Sequence, residues 1–141
     1  MFDRIAHRYD LLNRVLSMRR DVAWRKWLAR MLPERDDLCV LDLATGTGDV
    51  LLALRAGCPR VRSGVGMDMA GKMLALGKEK FEDCGQAAAL QMVRADATCI
   101  AAADASFDVA TIAFGIRNVA DVDAALREMY RVLKPGGRAL V

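Results

Sequence analysis

Residues 38–49 read LCVLDLATGTGD, and this stretch decides the fold. Leu38, Cys39, Val40 and Leu41 form a short apolar run that leads directly into Asp42-Leu-Ala-Thr-Gly-Thr-Gly-Asp49. A strand, a glycine turn and then a helix from about Asp49 to Ala56 is the reading that fits. Gly46 and Gly48 let the backbone turn tightly and approach a ligand closely. The helix that follows aims its N-terminus at the same spot.

Working outward, the same alternation repeats. Ser63–Asp68 reads as a second strand, and Ala70–Cys84 as a helix with Met73, Leu74, Leu76, Gly77 and Phe81 along it. Leu90–Ala95 is a third strand ending at Asp96, Phe107–Phe114 a fourth, and Val119–Leu133 a helix. Lys134-Pro-Gly-Gly137 reads as a turn, after which Arg138–Val141 opens a fifth strand. Nearly all-apolar strands alternating with helices predict an α/β domain over residues 36–141: a mostly parallel, doubly wound, Rossmann-like sheet buried on both faces. Residues 1–35 read as a helical cap in two pieces. Phe2, Ile5, Tyr9, Leu12 and Leu16 fall at helical spacing, as do Trp24, Trp27, Leu28 and Met31. Asp21 is a plausible N-cap for the second piece, and Pro33 closes it.

Composition narrows the function. The chain has 141 residues, 54% of them apolar, which suffices for one domain with a real core. The net charge of +3 is too weak to call for nucleic acid as a partner. Charge is uneven, however: residues 1–35 hold nine Lys/Arg against four Asp/Glu, a local +5 that suits an anionic surface. The uncharged stretches are too short to span a bilayer, and the N-terminus lacks the apolar core of a secretory signal. Cys39, Cys58, Cys84 and Cys99 form no CxxC pair, so zinc-ribbon and thioredoxin-like readings fail, leaving reduced and mostly buried thiols. His7 is the only histidine, which excludes a histidine-built metal site.

In a doubly wound sheet, ligands bind at the carboxyl ends of the strands, at the switch point. The first strand ends there in D-x-A-x-G-x-G, and Asp68 ends the second, twenty residues after Gly48. A carboxylate at that point can accept both ribose hydroxyls of a nucleoside. A dinucleotide site wants a third small residue in G-x-G-x-x-G, but that position is Leu51. S-adenosylmethionine has no phosphate to seat, and Asp42 can favour its cationic sulfonium or hold the ammonium of its tail. Asp96 and Ala97 close the third strand where adenine would lie; the Asp96 carboxylate can accept the exocyclic amine, and the Ala97 N–H can meet a ring nitrogen.

Four segments carry a family resemblance: FDRIAHRYDLLNRVLS followed by Trp24, LDLATGTGD, FGIRNV and YRVLKPGGR. Together they resemble the ubiquinone/menaquinone biosynthesis C-methyltransferases, within the class I S-adenosylmethionine-dependent methyltransferases, over essentially the whole chain. Tyr9, Asp10, Asn13, Leu16, Ser17 and Trp24 match the family's N-terminal signature, whereas Leu12 replaces a Met and Asp21 replaces a His. The resemblance implies S-adenosyl-L-methionine as cofactor, with Thr47, Asp68, Asp96, Ala97 and Ala113 as family contacts; Asp42, Ala44, Gly46, Gly48 and Met69 complete the expected cofactor-binding set. Family members often carry Ser at the Ala113 position, so Ala113 can offer only backbone groups. The resemblance also implies methylation of a ring carbon on a demethylated polyprenyl quinol, with no metal. Arg117 is then expected to stabilise the developing phenolate and Asn118 to orient the ring or a water. Tyr9, Asp10 and Asn13 would reach the site from a lid. A lipophilic substrate and a basic N-terminal region imply a cytoplasmic enzyme with peripheral contact at the inner face of the membrane, open to oligomerisation and with no nucleic-acid partner. The family continues past YRVLKPGGRALV into further helices and strands, so the chain reads as an N-terminal portion. Two other readings stay open: a methyltransferase-like module that binds the cofactor without turnover, and a methyltransferase for another small molecule.

Overall fold

The computed structural model describes residues 26–113 and 115–141. Most of the expected helical cap, including the signature from Tyr9 to Trp24 with His7 and Asp21, therefore lies outside the described residues. Residues 26–30 are helical, and Leu28 and Leu32 are buried against the sheet domain.

The domain alternates as its hydrophobic pattern requires. Strand β1 covers Leu38–Leu43, helix α1 Asp49–Gly57, β2 Val61–Asp68, α2 Gly71–Asp83 and β3 Leu90–Arg94. Strand β4 covers Phe107–Thr111, a short 3-10 turn Ile116–Asn118, α3 Val122–Val132 and β5 Leu133–Leu140. The sheet order is β3-β2-β1-β4-β5. Every pairing is parallel, with Leu41 opposite Val65 on one side and Ala110 on the other. The chain winds outward from β1 to β3, then returns past β1 to lay down β4. The switch point thus falls between β1 and β4.

Alternation along the central strand serves two cores. Leu38 and Val40 face Leu51, Leu54, Leu74 and Phe81 of α1 and α2. Leu41 and Leu43 join Ile112 and the α3 residues Met129 and Val132 on the other side. Both faces are covered, which is why β1 reads as a continuous apolar run rather than an alternating one. The β3-to-β4 crossover has no helix. Ile100, buried in the second core, anchors it, and an ion pair on α3 holds it: the Ile100 N–H donates to Glu128, and Arg131 donates to the Ile100 and Ala102 carbonyls. Hydrogen bonds from Arg131, above all, hold the Glu128 carboxyl down to about 2.

Three expected boundaries shift by three residues or more. Strand β4 ends at Thr111 rather than Phe114, because its partner β1 turns away after Leu43 and the β1–β4 ladder closes with Asp42 opposite Thr111. Helix α3 starts at Val122 rather than Val119. The chain first makes the 3-10 turn, and Asp121 then caps the helix by accepting the Ala124 N–H at 2.9 Å. The expected turn at residues 134–137 lies inside β5. Leu133 pairs with Phe107, but Arg138 pairs with Val109, so Lys134-Pro-Gly-Gly137 is a bulge absorbed by the ladder.

Candidate functional site

The carboxyl ends of β1 to β4 bring the expected cofactor residues to one edge of the sheet. After β1 the backbone enters the left-handed region at Ala44 (φ 50°), Gly46 (59°) and Gly48 (80°). The turn is closed by Gly48 N–H to the Thr45 carbonyl at 3.0 Å and tied to β2 by Thr45 N–H to the Met67 carbonyl at 3.1 Å. Gly48 caps α1 and tolerates no side chain: an added Cβ would lie 2.5 Å from the Phe81 ring. The turn is therefore pressed against α2 as well as joined to α1.

Asp68 ends β2 as the sequence predicts. Its Oδ2 accepts the Gly46 N–H at 2.9 Å and its Oδ1 accepts the Ala70 N–H at 2.9 Å. One carboxylate thereby links the glycine turn to the start of α2, and each oxygen keeps a further acceptor site for a ligand hydroxyl. Met69, the next residue, is 61% exposed, an apolar surface beside that carboxylate. The Asp96 carboxylate is exposed and forms an Asx turn, its Oδ1 accepting both the Thr98 N–H and hydroxyl at 2.8 Å. These bonds, the backbone one first, hold its carboxyl below the usual value. Its Oδ2 is not used by that turn. Ala97 is half-buried beside it.

Asp42 differs from all of these. It is 1% exposed, with Thr45 Oγ1 donating to its Oδ2 at 2.6 Å and Thr111 Oγ1 donating to its Oδ1. Burial is the main cause that pushes its carboxyl up to about 6; the two hydroxyl bonds oppose this, and the Asp68 charge adds to it. The protein thus stores an under-compensated acid beneath the turn. Thr45 and Thr111 were not legible as partners, since Thr111 is distant in sequence and only the β1–β4 register puts it opposite Asp42.

The segment after β4 closes the site from the other side. Gly115 approaches Ala44 so closely that a Cβ on it would fall 2.3 Å from the Ala44 Cβ. Residues 115–118, GIRN, are thus brought against the glycine turn, with Ala113 half-buried and Arg117 and Asn118 exposed on the 3-10 turn. Within the described residues, the Arg117 guanidinium makes no hydrogen bond or ion pair, which leaves it available to a ligand. Tyr9, Asp10 and Asn13 lie outside the described residues.

Other expectations divide. Among the described residues no group of His, Cys, Asp or Glu could hold a metal ion, and no helix is long and apolar enough to cross a membrane. All four cysteines are free, but only Cys58 is buried; Cys39 is half-buried, while Cys84 and Cys99 are exposed, which corrects the expectation of mostly buried thiols. A shallow groove lined by Ala29, Leu32, Gly57, Pro59 and Arg60 lies at the amino ends of the strands, away from these residues.

A parallel sheet with the 3-2-1-4-5 start, a glycine turn at its switch point and acids closing the next two strands define a class I methyltransferase fold. Solved structures agree on the fold. A Methanococcus maripaludis protein assigned as an S-adenosyl-L-methionine-dependent methyltransferase superposes with a TM-score of 0.87 at 21% identity, covering 98% of this chain and 62% of that one. The [4+2]-cyclase SpnF superposes at 0.78 with 22% identity over 84% of this chain and 43% of that one, so the fold alone does not fix the reaction. The chain belongs to the ubiE/COQ5 methyltransferase family, which it matches over residues 1–141. It is 49% identical over its full length to the ubiquinone/menaquinone biosynthesis C-methyltransferase UbiE of Geotalea daltonii, of which it covers 60%. It is 47% identical to the demethylmenaquinone methyltransferase of Thermus thermophilus, of which it covers 63%. The chain thus spans about 60% of the length of the curated relatives it matches.

Proposed function

We propose that this chain is the cofactor-binding part of an S-adenosyl-L-methionine-dependent C-methyltransferase acting on a ring carbon of a demethylated polyprenyl quinol. The observation that carries the reading is the Asp68 carboxylate. It braces the Gly46 amide at 2.9 Å while keeping acceptor capacity for ribose hydroxyls, in a family of methyltransferases. The names of the relatives, quinone-pathway C-methyltransferases, supply the acceptor class.

The residues suit this cofactor. Gly46, Thr47 and Gly48 admit the amino-acid tail close to the backbone, and Asp68 receives the ribose. Met69 offers a face to the adenine ring, with Asp96 and Ala97 at its edge, while Ala113 contributes backbone groups only. When bound, the cofactor supplies an electrophilic methyl group on a cationic sulfur. Asp42 acts on that cation through its field rather than by direct contact, since it is buried beneath the turn, 1% exposed. Arg117 holds the negative charge that develops on the quinol oxygen, and Asn118 orients the ring; no other described cation is placed on that turn.

The test is calorimetry with S-adenosyl-L-methionine, followed by methyl transfer to a short-chain demethylquinol, in the wild type and in Arg117→Ala. The expected result is unchanged cofactor affinity with turnover reduced about 100-fold, the scale of losing one charge-stabilising donor. Unchanged turnover removes Arg117 from the mechanism. Failure of the wild type to bind the cofactor removes the whole reading, including the module that binds without turnover.

A further inference from the structure

We infer that Lys80 is a positioning residue for the cofactor turn, acting from α2 through Thr47. The inference rests on the reading above only in taking residues 46–48 as the place where the cofactor tail sits.

The geometry is specific. Lys80 Nζ donates to Thr47 Oγ1 at 2.7 Å and to Asp49 Oδ1 at 2.9 Å, and its side chain is only 24% exposed. These bonds span 33 and 31 positions, so one ammonium joins α2 both to the glycine turn and to the first residue of α1. Packing prepares the bridge. One turn before Lys80, Gly77 brings α2 so near the turn that a Cβ there would lie 3.1 Å from the Thr47 carbonyl oxygen. One residue after Lys80, the Phe81 ring fills the space beside Gly48 that a side chain would need. Gly77, Lys80 and Phe81 present one edge of the helix, three and four residues apart, and all of it bears on Thr47–Asp49.

The start of the same helix is tied to Asp68 through the Ala70 N–H. Helix α2 is therefore pinned at two places: by the carboxylate that would receive the ribose, and by the lysine that fixes the turn. Lys80 also sets a positive charge against Asp49 at the start of α1, beside the glycine turn. An ammonium bound to a hydroxyl fixes that hydroxyl's orientation more firmly than a neutral partner would. The consequence is a turn set before the cofactor arrives, so that less ordering cost is left to binding.

The experiment compares wild type, Lys80→Met and Lys80→Arg in the full chain. Three quantities are read: thermal midpoint, dissociation constants for S-adenosyl-L-methionine and 5′-methylthioadenosine, and amide exchange over residues 44–50 in the free protein. Methylthioadenosine keeps the nucleoside and lacks the amino-acid tail. Lys80→Met is expected to weaken S-adenosyl-L-methionine about tenfold, the scale of one charge-assisted hydrogen bond. It should leave methylthioadenosine within about twofold and accelerate exchange across the turn, while Lys80→Arg recovers most of the loss. Equal weakening of both ligands together with a collapsed thermal midpoint assigns Lys80 to general stability and overturns the proposal. Unchanged exchange and unchanged affinity overturn it as well. Should the wild type bind neither ligand, the cofactor reading fails, while exchange over residues 44–50 still decides whether Lys80 orders the turn.

Discussion

Two buried aspartates mark the two ends of the sheet, and the protein treats them in opposite ways. Asp108, on β4 near the amino ends, is 3% exposed and meets Arg35 and Lys134, each at 3.2 Å, and the Cys39 N–H at 2.9 Å. Burial pushes its carboxyl up, but the Cys39 amide, Lys134 and Arg35 outweigh this and hold it below its usual value. Asp42, on β1 at the carboxyl ends, is equally buried and has two threonine hydroxyls but no cation among the partners that shift it. Its carboxyl rises instead. The first acid is a clamp whose charge is answered inside the protein. The second is left under-compensated beside the glycine turn, which suits the cationic ligand proposed for it.

Substitutions should affect the two ends of the sheet differently. The largest effect is expected at the turn that separates Asp42 from the ligand. Gly48→Val puts a branched side chain at φ 80° and against Phe81, and should cost about 3 kcal/mol in denaturant unfolding while abolishing cofactor binding. Wild-type affinity in that variant means the turn is not the binding element. Next comes Asp108→Ala, which leaves the Cys39 N–H without its acceptor and takes the shared carboxylate from Arg35 and Lys134. A loss of about 2 kcal/mol is expected, with cofactor affinity intact in the folded fraction. If affinity falls as well, the two ends of the sheet are coupled and Asp108 is more than a structural clamp.

The smallest effect carries the opposite sign. The Asp42 carboxyl titrates near 6 when folded against 3.8 when exposed, so the folded state holds its proton more tightly. Stability contributed by this group is present below pH 3.8 and declines as pH rises to about 6, beyond which the cost of the buried charge is constant. Asp42→Asn removes that decline. We expect a gain on the order of 1 kcal/mol at pH 8, vanishing toward pH 4, together with weaker cofactor binding. A stability difference independent of pH between 4 and 7 contradicts the assignment.

How much was legible in the sequence follows from the range of each interaction. Strands β1 to β3 and the convergence of Asp42, Gly46, Gly48, Asp68 and Asp96 were readable because each is written locally, as an apolar run ending in an acid or a glycine. Lys80, Thr45 and Thr111 were missed as a group. Lys80 sits on a helix whose pattern announces only packing, and its partners are 31 and 33 positions away. Lys134-Pro-Gly-Gly137 has the composition of a turn, yet the β4 ladder resumes on its far side at Arg138 and takes it in as a bulge. Pairing with a neighbour decided that segment, and no local preference could reveal it.

With the cofactor placed as proposed, the under-compensated Asp42 also makes the site a proton-releasing one. A carboxyl that keeps part of its proton near pH 6 in the empty protein must surrender it as a sulfonium settles nearby, because the arriving cation lowers its affinity for protons. Loading the cofactor in weakly acidic solution then discharges a fraction of a proton into the buffer. The apparent heat of binding should vary with the buffer's own ionisation enthalpy near pH 6 and lose that dependence at pH 8.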